Sequence, residues 1–185
     1  MTLMLEREIK LRFDNPEQAR AAILATGATP LRCRRLQEDA LLDTEDEILR
    51  RRRCVLRIRT EAGKSLLTFK GPVQPSRMKV RDEFETVVSD GEVLQRVLEE
   101  LGLHVWFRYE KYREEYSASD LTIALDETPV GTYVEIEGGE QAILDMTQAL
   151  GRSAADFILD SYRGLFIQHR EKHGTGNTNM VFQEE

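Results

Sequence analysis

The sequence predicts an α+β fold, with antiparallel strands carrying most of the chain and helices flanking them, and three observations predict it. Charged residues recur with period two inside otherwise apolar segments, the spacing of strands whose successive side chains point to opposite faces. Between those segments lie stretches with apolar residues three and four apart, which is helical spacing. The chain also repeats its opening: Glu6-x-Glu8 on a strand, a helix and Gly27 return about 77 residues later as Glu83-x-Glu85, a helix and Gly102. Each half then reads as a strand, a helix and about three more strands, a pseudo-duplication.

In chain order, Met4 to Phe13 alternates as a strand with Glu6, Glu8 and Lys10 on one face and Leu5, Ile9, Leu11 and Phe13 supplying apolar contacts. Asp14-Asn15-Pro16 caps a helix with Ala19, Ala22, Ile23 and Ala25 as its stripe and Gly27 as its end. Leu36 to Asp43 is a short strand, and Thr44 to Arg53 a charged turn or helical turn. Cys54 to Thr60 and Ser65 to Lys70 form a hairpin around Glu61-Ala62-Gly63-Lys64, stopped by Gly71-Pro72. Residues 71–77 read as a loop, and Met78 to Val87 as a strand with Lys79, Arg81, Glu83 and Glu85 on one face. A helix from about Asp90 to Leu101 places Val93, Leu94, Val97, Leu98 and Leu101 at core spacing. Strands follow at Val105 to Tyr116, Leu121 to Asp126 and Thr132 to Glu137. Helices close the domain at Glu140 to Leu150, at a Ser153-Ala154-Ala155-Asp156 capping box, and from Tyr162 to about Lys172. The domain spans residues 1–172, and 173–185, with Gly174, Thr175, Gly176 and Asn177, are expected to fray as a disordered tail.

A chain of 185 residues supports one domain with a substantial core. Charged residues make up 32%, above the usual share of about a quarter. The formal net charge of −7 argues against a nucleic-acid partner, although Arg50-Arg51-Arg52-Arg53 is locally basic. No apolar run approaches a membrane span and no signal-peptide pattern opens the chain, so a cytoplasmic location is the expectation. Cys33 and Cys54 have no metal-ligand spacing and read as reduced thiols.

The charged strand faces admit two readings. An ordinary half-buried sheet shows charge on its wet face. Alternatively, the faces line a closed barrel whose helices cover an apolar outside, and eight strands are about the fewest that leave room for a ligand. Such a lumen holds seven acids, Glu6, Glu8, Glu83, Glu85, Asp126, Glu135 and Glu137, and eight bases, Lys10, Arg57, Arg59, Lys70, Lys79, Arg81, Lys111 and Arg113. Burying that many charges for stability alone is costly, since each desolvated ion loses several kcal/mol. A multiply charged phosphate ligand with a hard cation accounts for both signs: Lys and Arg hold phosphoryl oxygens, and carboxylates hold Mg²⁺ or Mn²⁺.

Glu6-Arg7-Glu8-Ile9-Lys10 resembles the ExExK signature of the CYTH superfamily, the triphosphate tunnel metalloenzymes, which include class IV adenylyl cyclases, thiamine triphosphatases and inorganic triphosphatases. Leu56-Arg57-Ile58-Arg59, Leu67-Thr68-Phe69-Lys70-Gly71-Pro72, Arg81-Asp82-Glu83-Phe84-Glu85, Glu110-Lys111-Tyr112-Arg113, Ala124-Leu125-Asp126 and Val134-Glu135-Ile136-Glu137 resemble the other strand motifs of that family, in order. The resemblance covers about residues 4–170 and implies an eight-stranded antiparallel β-barrel that binds a triphosphate with divalent metal. It implies Glu6, Glu8, Glu135 and Glu137 as metal-binding acids, with Asp126 and Glu85 supporting them, and Arg57, Arg59, Lys70, Lys79, Arg81, Lys111 and Arg113 as the phosphate-binding wall. Lys10, with Glu8, takes the catalytic role, either orienting or deprotonating the attacking water or binding phosphate. A lysine base needs a depressed pKa, which Glu6 and Glu8 oppose.

The expected activity is metal-dependent hydrolysis of a triphosphate, inorganic triphosphate first and nucleoside or thiamine triphosphate next. The alternatives are cyclisation of ATP by a class IV adenylyl cyclase and a polyphosphate or nucleotide sensor without turnover. A homodimer is compatible with the sequence. His169 and His173, four apart on a helix without an evident third ligand, read as surface residues; Trp106 and Phe107 read as packing residues. Gly138-Gly139 reads as a strand-to-helix turn, because no phosphate-loop pattern follows it.

Overall fold

The computed structural model describes residues 4–174 and 176–183. Eight antiparallel strands close into a barrel, β1 (Met4–Phe13), β2 (Thr29–Thr44), β3 (Val55–Glu61), β4 (Lys64–Lys70), β5 (Lys79–Val88), β6 (Leu103–Ala118), β7 (Leu121–Thr128) and β8 (Gly131–Glu137), in the spatial order β1-β5-β4-β3-β2-β6-β7-β8. Exchanging β1 to β4 with β5 to β8 reproduces the same ring of neighbours, so the repeat legible in the sequence is also a repeat of topology. The register agrees, since the sequence offset that moves Glu6 onto Glu83 moves the pair Glu6–Arg81 onto Glu83–Met4. Closure leaves few strand edges to protect.

The apolar core lies outside the barrel. Ile9, Leu11 and Phe13 of β1, Ile123 and Leu125 of β7 and Val134 and Ile136 of β8 point outward and are buried. Helix α1 (Pro16–Ala25) covers them with Ala19 and Ile23, and α4 (Glu140–Ala149) with Ile143 and Met146. The Asn15 side chain accepts from Gln18 N at 2.8 Å, and Pro16 follows at the first helical position, as the sequence predicts. A second cluster packs Leu41, Phe107, Tyr109, Val130 and Tyr133 against Tyr162, Leu165 and Phe166 of α5 (Tyr162–His173). Phe107 therefore packs, its ring centroid 5.7 Å from that of Phe166.

Three expectations change. The short strand expected at Leu36 to Asp43 is the inner half of a 16-residue strand that pairs with β6 along its length; the arginines at 32, 34 and 35 hid its outer half. Helix α3 (Gly91–Glu100) forms as expected, but its stripe does not reach the core: Val93, Val97 and Leu101 are 56%, 50% and 70% exposed. Helical periodicity reports amphipathicity, not what covers the apolar face. Gly91 sets the seat of α3, because a Cβ there would stand 2.5 Å from Ser65 Oγ.

The tail expected to fray after His173 is docked over part of its length. Beyond Tyr112, β6 pairs with β7; nearer its start that edge is free, and Met180 fills it. Met180 N donates to Arg108 O at 3.0 Å, Glu110 N donates to Met180 O at 2.9 Å, and the Met180 side chain is fully buried. The Phe182 ring packs 5.2 Å from Tyr112. Residues 175, 184 and 185 of the expected tail lie outside the described residues. Among the described residues no helix is long and apolar enough to cross a membrane.

Candidate active site

Because Ile9 and Leu11 are committed to the outer core, the alternate residues of β1 must face the lumen, and Glu6, Glu8 and Lys10 do so, all buried. The same alternation on the other strands gathers one cavity of about 1070 Å³. All eight predicted basic residues line it: Lys10, Arg57, Arg59, Lys70, Lys79, Arg81, Lys111 and Arg113. Glu6, Glu8, Glu83, Glu85, Glu135 and Glu137 line it with them.

Opposite charges are interleaved as ion pairs. Lys70 Nζ stands 2.6 Å from Glu6 Oε1 and 2.7 Å from Glu83, and Arg81 Nε donates to the other Glu6 oxygen at 3.0 Å. Lys79 Nζ donates to Glu8 Oε1 at 2.6 Å, while Lys10 Nζ lies 3.2 Å from both Glu8 and Glu135. Arg113 grips Asp126 through two bonds of 2.6 Å and reaches Glu135 at 2.9 Å.

These neighbours set the protonation states. Burial and Glu135 raise the Glu8 carboxyl, but Lys10, Lys79 and Lys70 outweigh them and hold it well below the usual carboxylate range. Burial works against the Lys10 charge, yet Glu8 and Glu135 dominate and hold its pKa above that of a free lysine. A base role for Lys10 does not fit that environment, because the group stays protonated; its charge suits phosphate contact. Lys79 is lowered to about 8 by burial and then by Lys10, and Lys111 to about 7 by burial and then by Arg113.

Glu137 differs from its neighbours. Among the described residues its side chain has neither an ion pair nor a hydrogen bond, and burial, followed by Glu6, Glu135 and Glu8, pushes its pKa up to about 7. A buried carboxyl among like charges is relieved by a proton or by a cation. Among the described residues no three potential ligands converge into a ready-made metal cage. The donor set on this side of the lumen, carboxylate oxygens of Glu6, Glu8, Glu135 and Glu137, is nevertheless the chemistry that Mg²⁺ and Mn²⁺ prefer.

Two of the acids expected beside these four lie elsewhere. Glu85 accepts from Thr68 Oγ1 at 2.8 Å and from Arg57 at 3.4 Å, which places it with the arginines of β3. Asp126 does not open onto the cavity; it is fully buried behind Arg113, Lys111 and the Tyr162 hydroxyl, which all donate to it.

The CYTH domain profile matches residues 4–162. The chain belongs to the CYTH domain family. It is 28% identical over 176 residues to a Methanocaldococcus jannaschii protein named "Putative adenylate cyclase", covering 88% of this chain and all of that one. Among solved structures, a Pyrococcus horikoshii protein superposes with a TM-score of 0.76 at 25% identity, covering 89% of this chain and 99% of that one. A Hippeastrum protein, described as a "putative adenylyl cyclase" with a dominant triphosphatase activity, has a TM-score of 0.65 at 20% identity, with 88% and 95% covered; that likeness is one of fold.

Asp39 and Tyr162 are among the polar residues of this CYTH domain's interior that escaped the sequence reading. Asp39, from β2, is 2% exposed and receives Arg59 through bonds of 2.8 and 3.1 Å, with Arg57 Nε at 3.4 Å. Burial raises its carboxyl, but Arg59 and Arg57 outweigh that and hold it low. The signal was there: Gln37, Asp39, Leu41 and Asp43 alternate along one strand, and register sets Asp39 beside Arg59. Tyr162, the first residue of α5, carried no such signal, because a helix from outside the barrel brings it in. Its ring lies 4.7 Å from Lys111 Nζ and 5.2 Å from Lys10 Nζ. His169 and His173 sit side by side on exposed turns of α5, apart from this cavity.

Proposed function

We propose that the protein hydrolyses a triphosphate with the help of a divalent metal ion, inorganic triphosphate being the favoured substrate. One observation carries the reading: the eight basic residues named from the sequence and six of the acids line a single cavity, with Glu137 unpartnered among the described residues on its acidic side. Cations already stripped of water are suited to phosphoryl oxygens, and they need only exchange one anion for another.

Lys10, Lys79, Lys70 and Arg81 would turn from Glu8 and Glu6 to the phosphate chain, while Arg57, Arg59, Lys111 and Arg113 hold it from the opposite wall. Glu6, Glu8, Glu135 and Glu137 would hold Mg²⁺ or Mn²⁺, which when bound supplies Lewis-acid stabilisation of the charge that develops on phosphoryl oxygens. Water attacks the terminal phosphorus, the bridging P–O bond breaks with its electron pair passing to diphosphate, a proton of the attacking water passes to a phosphoryl oxygen, and orthophosphate and diphosphate leave. Lys10, held protonated, stabilises the equatorial charge rather than accepting the proton.

The test is direct: purified protein with Mg²⁺ or Mn²⁺ is offered inorganic triphosphate, ATP and thiamine triphosphate, and orthophosphate, diphosphate and cyclic AMP are read. Orthophosphate from inorganic triphosphate supports the proposal. Cyclic AMP with diphosphate from ATP makes the protein a cyclase, and binding without turnover makes it a sensor. Glu8→Gln and Glu135→Gln should each remove most metal-dependent turnover while the circular dichroism spectrum is kept; full activity in either takes that residue out of the metal site.

A further inference from the structure

Three arginines crowd the mouth of the lumen nearest α5, and local physics opposes the placement of two of them. Helix α2 (Ile48–Arg51) ends in a Schellman motif, with Cys54 N donating to Leu49 O and Arg53 N to Arg50 O, both at 2.9 Å. The residue after the cap of such a motif takes the left-handed conformation and is usually glycine; here it is Arg53 at φ 57°. Arg163 sits in the first turn of α5, where the helix dipole disfavours a cation. Burial and then the nearby Arg50 lower its pKa, and Glu47 opposes them without reversing the direction.

Trp106 joins them. The Arg50 guanidinium lies 4.3 Å from its ring and the Arg163 guanidinium 4.7 Å. Arg50 is neutralised, since its Nε donates to buried Asp43 at 3.1 Å and Glu47 lies 3.3 Å away. Arg53 and Arg163 have no ion pair among the described residues, although both line the cavity that holds the phosphate-binding side chains. With guanidinium groups already against its ring, Trp106 presents no open platform for a nucleobase; the mouth offers positive charge. It continues the basic row of β3, on which Arg57 and Arg59 lie further in.

We propose that this mouth is an anion subsite, formed by Arg53 and Arg163 beside the Trp106–Arg50 pair, that receives the phosphoryl units beyond the third of a linear inorganic polyphosphate. Two cations are held against local preference in the lining of the phosphate-binding cavity, and among the described residues neither has a carboxylate within ion-pair distance. The inference rests on the phosphate-binding reading of the lumen and names the substrate class that the mouth would admit.

Titration calorimetry without divalent metal separates the two. The probes are inorganic triphosphate and linear polyphosphates of increasing length. Wild type is expected to bind longer chains more tightly than triphosphate, and Arg53→Gly or Arg163→Gln to weaken the longer chains by about tenfold, the worth of one charge-assisted hydrogen bond, with triphosphate affinity within about twofold. Arg53→Gly also removes the strained conformation, so the variant should be at least as stable as wild type, which excludes misfolding as the cause. An Arg51→Ala/Arg52→Ala variant, altering exposed neighbours that do not line the cavity, should bind every probe as wild type does. Affinity independent of length, or an equal loss in the Arg51/Arg52 variant, overturns the subsite while leaving the lumen reading intact. Failure of wild type to bind triphosphate both without divalent metal and with Mg²⁺ added overturns the lumen reading, and the subsite with it.

Discussion

Replacing Asp39 by Asn tests how the barrel tolerates its own charge. Asp39 neutralises Arg59 through two hydrogen bonds and faces Arg57 at 3.4 Å, all three side chains being buried. Removing one member of a buried ion pair costs about 3–5 kcal/mol, because the partner stays behind uncompensated. Asparagine keeps one acceptor, so a loss near 3 kcal/mol is expected, or a fall in melting temperature of about 6–12 °C for a chain of this length. The pH dependence has a definite sign. Asp39 has its carboxyl held below the unfolded value, so its contribution is present above about pH 4 and disappears as pH falls through the folded-state pKa. Urea unfolding of both proteins, followed by circular dichroism between pH 7 and pH 3, should show a gap that is full at neutral pH and closes in acid. Inorganic triphosphate should narrow the gap at pH 7, since its oxygens replace the lost carboxylate. A neutral-pH gap below about 1 kcal/mol would refute the view that Asp39 holds the two arginines in place.

Glu137 predicts the opposite slope. Its carboxyl is raised to about 7, so the metal-free protein loses stability as pH rises from about 4 through 7. Glu137→Gln should then be more stable than wild type at pH 8 in a chelator by up to about 3 kcal/mol, with little difference at pH 4; equal unfolding midpoints at pH 8 would contradict the like-charge account. Met180→Ala should cost about 2–4 kcal/mol in urea unfolding, because a fully buried side chain is truncated where a loose tail would have cost nothing. Val97→Ser, on the open face of α3, should stay within about 0.5 kcal/mol of wild type, and a loss above 2 kcal/mol would mean that this face is packed.

Legibility followed the range of the forces involved. Strand periodicity is local, so eight of the cavity-lining bases and the Glu6, Glu8, Glu135 and Glu137 group could be read from alternation and motif order. Partner choice is not local. Asp126 reads like a cavity acid in a list of strand residues, yet Arg113, Lys111 and Tyr162 enclose it from three directions. The failure at α3 has a similar origin, since a Val and Leu stripe specifies a face but not its cover. Met180 was hidden because Gly174, Gly176 and Asn177 dominate the composition of the tail, while the free edge it completes belongs to a strand some 70 residues away.

Among the described residues the carboxylates on the acidic side of the lumen, Glu6, Glu8 and Glu135, are ion-paired and Glu137 is not, and that asymmetry orders the binding events. A phosphate chain entering alone must take Lys70, Lys79, Lys10 and Arg81 from Glu6, Glu8 and Glu135, leaving those carboxylates buried beside Glu137 with nothing to offset them. A cation entering alone relieves Glu137, but competes with the same lysines for Glu6 and Glu8. Arriving together, each ligand removes the penalty that the other creates: the cation takes the carboxylates that phosphate displaces, and phosphate takes the ammonium groups that the cation displaces. On the proposed reading, metal and triphosphate therefore bind with positive coupling, and reciprocity requires each to tighten the other by the same factor. The buried ion pairs, costly to assemble, keep both sets of side chains desolvated and aimed at the lumen before either ligand arrives.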